Sequence, residues 1–133
     1  MQGIVWAVIQ DPAALKLVIP RYEVVQCHHI TLQYGVSLDR WWRWVGLEFT
    51  AIGLAECWND RIQAVRVQLP APILCVNQHP HITVSHQVGV AAKEANQMLA
   101  DQYESVALNL IVPVWIEFAI RERPDFSIEH ANL

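Results

Sequence analysis

The chain carries little charge of either sign and gathers none of it into runs. Nine Lys and Arg against thirteen Asp and Glu leave a formal net charge of −4, and charged residues make up only 17% of the 133. Proteins that follow long nucleic acid depend on many phosphate contacts from clustered Lys and Arg. The densest basic grouping here is Arg121-Glu122-Arg123, so duplex tracking is excluded. A small nucleotide or a single chain end asks only for a local positive site and stays open. Long apolar runs are also missing: each is interrupted well before the roughly 18 residues that span a bilayer, and a soluble, non-membrane protein is expected. Cysteine is scarce, and Cys27, Cys57 and Cys75 are an odd number without close pairing, which excludes a disulfide framework and fits reduced thiols. The opening MQGIVWAVIQ has neither the cationic lead nor the small-residue cleavage site of a secretory leader. Cytoplasm is the expected compartment, the host's if the source is viral.

What the chain does have is apolar surface. At 53% hydrophobic it can bury one core, and residues 1–133 are expected to form a single domain. Residues 3–10 are rich in Ile, Val and Trp and predict a strand; Asp11-Pro12 then reads as a cap and first turn of a short helix through residue 17. Residues 22–34 predict a strand carrying HHITLQY and ended by Gly35. Residues 36–46, with Ser37 as a possible cap and the cluster Trp41, Trp42 and Trp44, fit a helical turn or a loop. Residues 47–58 and 61–69 predict a hairpin broken at Trp58-Asn59-Asp60. A short strand at 73–76, a strand at 81–85, a helix at 91–100 and a long strand at 106–120, with an edge or bulge at Pro113, complete the pattern. The tail after Pro124 is expected to be poorly ordered. Strands repeatedly follow strands without an intervening helix, which favours α+β with antiparallel sheet over a βαβ series.

The chain also repeats itself weakly: HITL at 29–32 and HITV at 81–84 are each trailed by a Gly-Val pair, Gly35-Val36 and Gly89-Val90. Residues two apart on a strand project to one side. His29 and Thr31 therefore share a face while Ile30 and Leu32 enter the core, and His81, Thr83, Ile82 and Val84 divide in the same way. If the two strands lie side by side, two imidazoles and two hydroxyls line one site. Phosphodiester cleavage needs a base for the attacking oxygen, an acid for the leaving oxygen, and donors for the charged non-bridging oxygens. Histidine suits both proton roles because its ordinary pKa, roughly 6.5, lets one ring be neutral while its partner is cationic.

The paired motifs resemble the signature of the 2H phosphoesterase superfamily, which includes cyclic phosphodiesterases, LigT-like RNA ligases and viral enzymes that degrade cyclic-nucleotide signals. More narrowly, CHHITLQYG, CWNDRIQAVRVQL and HPHITVSHQVGVAAKEANQML, within residues 27–100, are similar to the cyclic phosphodiesterase domain of fungal-type tRNA ligases and related stand-alone proteins. The resemblance implies an α+β, bilobal fold: two pseudo-symmetric, mainly antiparallel sheets around a central cleft, with flanking helices. It implies that His29 and His81 are acid and base in either order, and that Thr31 and Thr83 hold the phosphate. Tyr34 and Lys93 are candidate substrate contacts or ordinary surface residues. The expected substrate is a small cyclic nucleotide or cyclic oligonucleotide, with a 2′,3′-cyclic RNA end as the alternative and a non-catalytic nucleotide-binding module as the second.

Competing features are weaker. Cys27-His28-His29, His79-Pro80-His81, Cys57, Cys75 and His86 do not have the spacing of a zinc set. Neighbours on a strand point apart, so His28 and His29 could not both face one ion without a bulge. Neither a metal nor another cofactor is expected, and His28 and His79 are placed at the rim of the site. Ser37 and Ser85 lack a Gly-x-Ser-x-Gly elbow. The tryptophan cluster could stack bases, cover the core or form a subunit contact.

Overall fold

In the computed structural model, which describes residues 2–120, the chain forms strands β1 (Gln2–Ile9), β2 (Val24–Val25), β3 (His29–Ser37), β4 (Glu48–Trp58), β5 (Ile62–Gln68), β6 (His81–His86) and β7 (Glu104–Ile120). Helix α1 (Glu94–Ala100) is the one α-helix among the described residues. The antiparallel order β6-β3-β1-β7-β4-β5 returns to β6, because β6 pairs with β3 on one edge and with β5 on the other. The result is a closed six-stranded barrel, with β2 continuing the β3 edge along β6.

This overturns the bilobal α+β arrangement with flanking helices. The two motif strands, expected in two facing sheets, are neighbours in one wall, joined at Ile30↔Ile82. Closure satisfies the edges that two open sheets would leave exposed. The helical share shrinks as well. The segment expected as a helix over 11–17 is a 3-10 turn, Pro12–Leu15, with Ala13 N–H donating to Asp11 Oδ1 at 3.0 Å, and α1 covers only the second part of 91–100.

Alternation sends one side chain of each strand pair inward. Val5 and Ala7 of β1, Ile30 and Leu32 of β3, Val65 and Val67 of β5, Ile82 and Val84 of β6, and Leu110, Val112, Val114 and Ile116 of β7 fill the barrel. Gly53 of β4 makes room for this packing: a Cβ there would stand 3.1 Å from Leu110 Cβ and 3.2 Å from Val65 Cγ1. Trp41 joins the core and donates its Nε1–H to Gln33 Oε1 at 2.9 Å, Trp44 packs against the same core, and Trp42 is exposed. The undecided 36–46 stretch begins within β3 and continues as a 3-10 turn, Leu38–Arg40.

The hairpin falls where the sequence puts it, since Asn59 Oδ1 accepts from both Arg61 N–H and Ile62 N–H at 2.9 Å. The strand expected at 22–34 is instead broken between β2 and β3, with Cys27 in the left-handed region at φ 50°, and it continues beyond Gly35 to Ser37. Residues 73–76 form no strand, although Val76 N–H donates to Leu32 C=O at 2.9 Å and occupies the gap where β3 leaves β6. No described helix is long and apolar enough to cross a membrane. The tail after Pro124 lies outside the described residues.

Candidate active site

The face of the wall opposite the core carries the four motif residues. With Ile30 and Ile82 paired and pointing inward, antiparallel register sets His29 beside Thr83 and Thr31 beside His81 on the outer side. The rows extend across neighbouring strands. Val8 pairs with His29 and Ala64 with Thr83; Trp6 pairs with Thr31 and Arg66 with His81. A band running Trp6, Thr31, His81, Arg66 thus crosses β1, β3, β6 and β5. His29, His81, Thr83 and Trp6 are buried, Thr31 is half-buried and Arg66 is exposed.

Two flanking structures limit this face. At one end of β6, Ser85 Oγ donates to Gln63 Oε1 at 2.6 Å, and Arg21 N–H and Tyr22 N–H both reach Ser85 Oγ, at 3.2 and 3.1 Å. Gln63 Nε2–H also donates to Ile19 C=O at 3.0 Å and to Glu56 Oε2 at 2.9 Å. This satisfied polar network fastens the 19–22 segment over Ser85. On the other flank, Ala95, Met98 and Leu99 of α1 pack on Ala55, Cys57, Ile62 and Ala64, one strand away from Thr83.

The two histidines are held differently. His81 donates its Nδ1–H to the carbonyl of His79 at 2.7 Å, which fixes the tautomer and leaves an acceptor lone pair on Nε2. Burial disfavours its charged form and lowers its pKa from 6.5; the His79 carbonyl opposes that shift and the nearby His79 ring adds to it. His29 instead meets His28, Nδ1 to Nδ1 at 3.0 Å, and packs against Trp6 with ring centroids 4.3 Å apart. Cys27, in the left-handed region, and His28 precede the strand, and His28 is a direct partner of His29 as well as an exposed residue at the rim.

Thr83 Oγ1 is buried without a hydrogen-bond partner among the described residues. Burying an unpaired hydroxyl costs about 1–3 kcal/mol, a cost a ligand would relieve. Tyr34, exposed and paired in register with Ile4, stands further along β3 on the side that bears Trp6. Lys93 is exposed immediately before α1 and shows no described contact with the four motif residues. Arg66 escaped the sequence reading, because its relation to His81 exists only through cross-strand register. Among the described residues, no group of three or more His, Cys, Asp or Glu side chains is arranged to hold a metal ion.

Two His-x-Thr pairs thus stand in register on the outer face of one wall. Residues 52–112 match the family model described as the fungal tRNA ligase phosphodiesterase domain, and that stretch of the chain is similar to it. The match spans β5 and the second motif but not the first. The relationship supports a phosphodiesterase of the hydrolase class. No curated protein and no solved structure gives a significant match.

Proposed function

We propose that the chain hydrolyses cyclic nucleotide phosphodiesters, 2′,3′-cyclic phosphates first among them, by metal-independent acid-base catalysis. The observation that carries this reading is the Ile30↔Ile82 register, which puts both His-x-Thr pairs on one face of adjoining strands. His81, with Nδ1–H committed to a carbonyl and its charged form disfavoured, is suited to be the base. Its Nε2 takes a proton from water as the water oxygen bonds to phosphorus. The bond from phosphorus to one ribose oxygen breaks, and His29 Nε2 gives that oxygen a proton, so a cyclic diester and water become a monoester. Solvent exchange resets both rings. Thr31 and Thr83 hydroxyls and the Arg66 guanidinium supply donors and charge for the non-bridging oxygens.

The match to a tRNA ligase phosphodiesterase domain favours a 2′,3′-cyclic phosphate. A second reading, free cyclic dinucleotides or trinucleotides as in signal degradation, is favoured by the net charge of −4, which suits a compact ligand better than a long phosphate track. Chromatography of products separates them. The protein, with and without EDTA, is incubated with 2′,3′-cyclic mononucleotides, an oligoribonucleotide ending in a 2′,3′-cyclic phosphate, and cyclic dinucleotides and trinucleotides. Turnover of the first two in EDTA is expected, with a loss of about a hundredfold or more in His29→Ala and His81→Ala. Turnover confined to cyclic oligonucleotides would select the second reading. Binding without any product would make the domain a nucleotide-binding module, and full activity of His29→Ala would end the two-histidine mechanism.

A further inference from the structure

We propose that His28 is the positioning residue for His29, accepting its Nδ1–H and thereby fixing which nitrogen of His29 handles the proton. The inference rests on the two-histidine reading and assigns a function to a residue outside both motifs.

The argument begins with proton counting. Two imidazole Nδ1 atoms 3.0 Å apart are at hydrogen-bond distance, and such a bond holds one proton between them. Two protons would set N–H against N–H; none would set lone pair against lone pair. When His29 is the cationic acid, it carries protons on both nitrogens, so the shared proton is its own and His28 must present a bare Nδ1. His28 is then neutral with its proton on Nε2, on the exposed ring. After His29 Nε2 has given its proton away, the Nδ1 proton stays in the same bond and the ring keeps its orientation. His81 uses a backbone carbonyl for this purpose, an acceptor that never titrates. His29 uses a second imidazole, whose bare Nδ1 is the acceptor.

The geometry is built and not incidental. His28 lies just before β3, after Cys27 at φ 50°, so the alternation that sets strand neighbours apart does not bind the pair. Trp6 packs against both rings, with centroids 4.3 Å from His29 and 5.4 Å from His28. Charged and titratable groups on the surrounding strands include His81 and His86 on β6, Tyr34 on β3, Arg66 on β5 and Glu117 on β7, with His79 just before β6. Arg66 pairs with His81, and Glu117, which pairs with Trp6 across β1, accepts from Trp115 Nε1–H. His28 Nδ1 stands at hydrogen-bond distance from His29 Nδ1.

The test compares His28→Ala, which removes the acceptor, with His28→Asn, which offers an amide oxygen that cannot protonate. His28→Ala should lower kcat roughly tenfold to a hundredfold, the range seen when a partner orienting a histidine is removed, with KM changed less than about twofold. Its alkaline activity limb should move to lower pH, because the His29 imidazolium loses its acceptor. His28→Asn should recover most of kcat and restore that limb. Nitrogen-15 NMR of the His29 ring in the unliganded protein reads tautomer and titration independently of any substrate. Its proton should reside on Nδ1 in wild type and redistribute in His28→Ala. Unchanged kcat, pH profile and His29 tautomer in His28→Ala, while His29→Ala is inactive, would overturn this proposal alone. An active His29→Ala would overturn the catalytic reading beneath it.

Discussion

The same tetrapeptide pattern, His-aliphatic-Thr-aliphatic, occurs on two strands that differ in almost everything else. β6 lies between β5 on one edge and β2 and β3 on the other, and every residue from His81 to His86 is buried. β3 begins at a left-handed break, touches β6 through one residue pair and then diverges, with Val76 filling the gap. The motif therefore specifies which groups face outward, and the surroundings specify what they can do. On the enclosed strand, His81 is tied to a carbonyl and its charged form is disfavoured by burial, while Thr83 has an unpartnered hydroxyl. On the open strand, His29 is tied to a second imidazole and Thr31 remains half-buried. A weak repeat in sequence thus yields two unequal halves of the candidate site.

The threonines offer the largest way to break that asymmetry. Thr83→Val keeps shape and removes the buried hydroxyl, so activity should fall about a hundredfold, as when a preorganised donor to a developing oxyanion is lost. Stability should hold or rise slightly, because the native hydroxyl is already unpaired. Thr31→Val, on the more open strand, should cost roughly tenfold. Steady-state kinetics beside thermal melts measure both. Equal losses at the two positions would mean that burial does not grade their contributions.

Parts of this arrangement are legible in the chain because they follow local rules. The period of two puts His29 with Thr31 and His81 with Thr83, and Asn59 caps the hairpin turn from its own side chain. Closure of the barrel is not local: it depends on β6 accepting partners from residues 29–37 and 62–68 at once, which hydrophobic alternation does not encode. Alternation along a strand sets His28 at the rim, but the strand begins only at His29, and the ring of His28 meets that of His29. Arg66 looked like an ordinary polar position alternating with Val65 and Val67. Its neighbour His81 lies across a ladder whose register shifts at Gln63/Ala64, a feature no periodicity reveals.

Arg66 sharpens the comparison from the substrate's side. It is paired in register with a histidine whose neutral form is favoured, and its charge acts on Cys57 of the neighbouring strand. Arg66→Ala should raise KM about tenfold and lower kcat less, while Arg66→Lys should recover only part of the loss, since a point charge replaces a planar fork. The Arg66 contribution should also weaken as salt is raised from 50 to 500 mM, conditions over which screening lengths shorten to several Å. Initial-rate kinetics at both salt levels test this, and an unchanged KM in Arg66→Ala would remove the guanidinium from the phosphate site.

The smallest effect concerns stability and comes from the enclosed histidine alone. In the folded chain the His81 pKa lies below its ordinary value of 6.5, chiefly through desolvation. Below that ordinary value the unfolded chain takes up a proton that folded His81 resists, so the unfolded state binds more protons and stability rises with pH across that window. Its contribution is complete above the unfolded value and is lost as pH falls towards and through the folded one. Wild type should therefore lose more Tm between pH 7.5 and 5.5 than His81→Gln, whose amide cannot titrate, by a few degrees in a chain of this size. Calorimetry at several pH values reads the difference between the two melting curves directly. Parallel slopes would mean that solvent reaches His81 in the folded chain well enough to hydrate its cation, and the physical basis for assigning it the base role would fall with them.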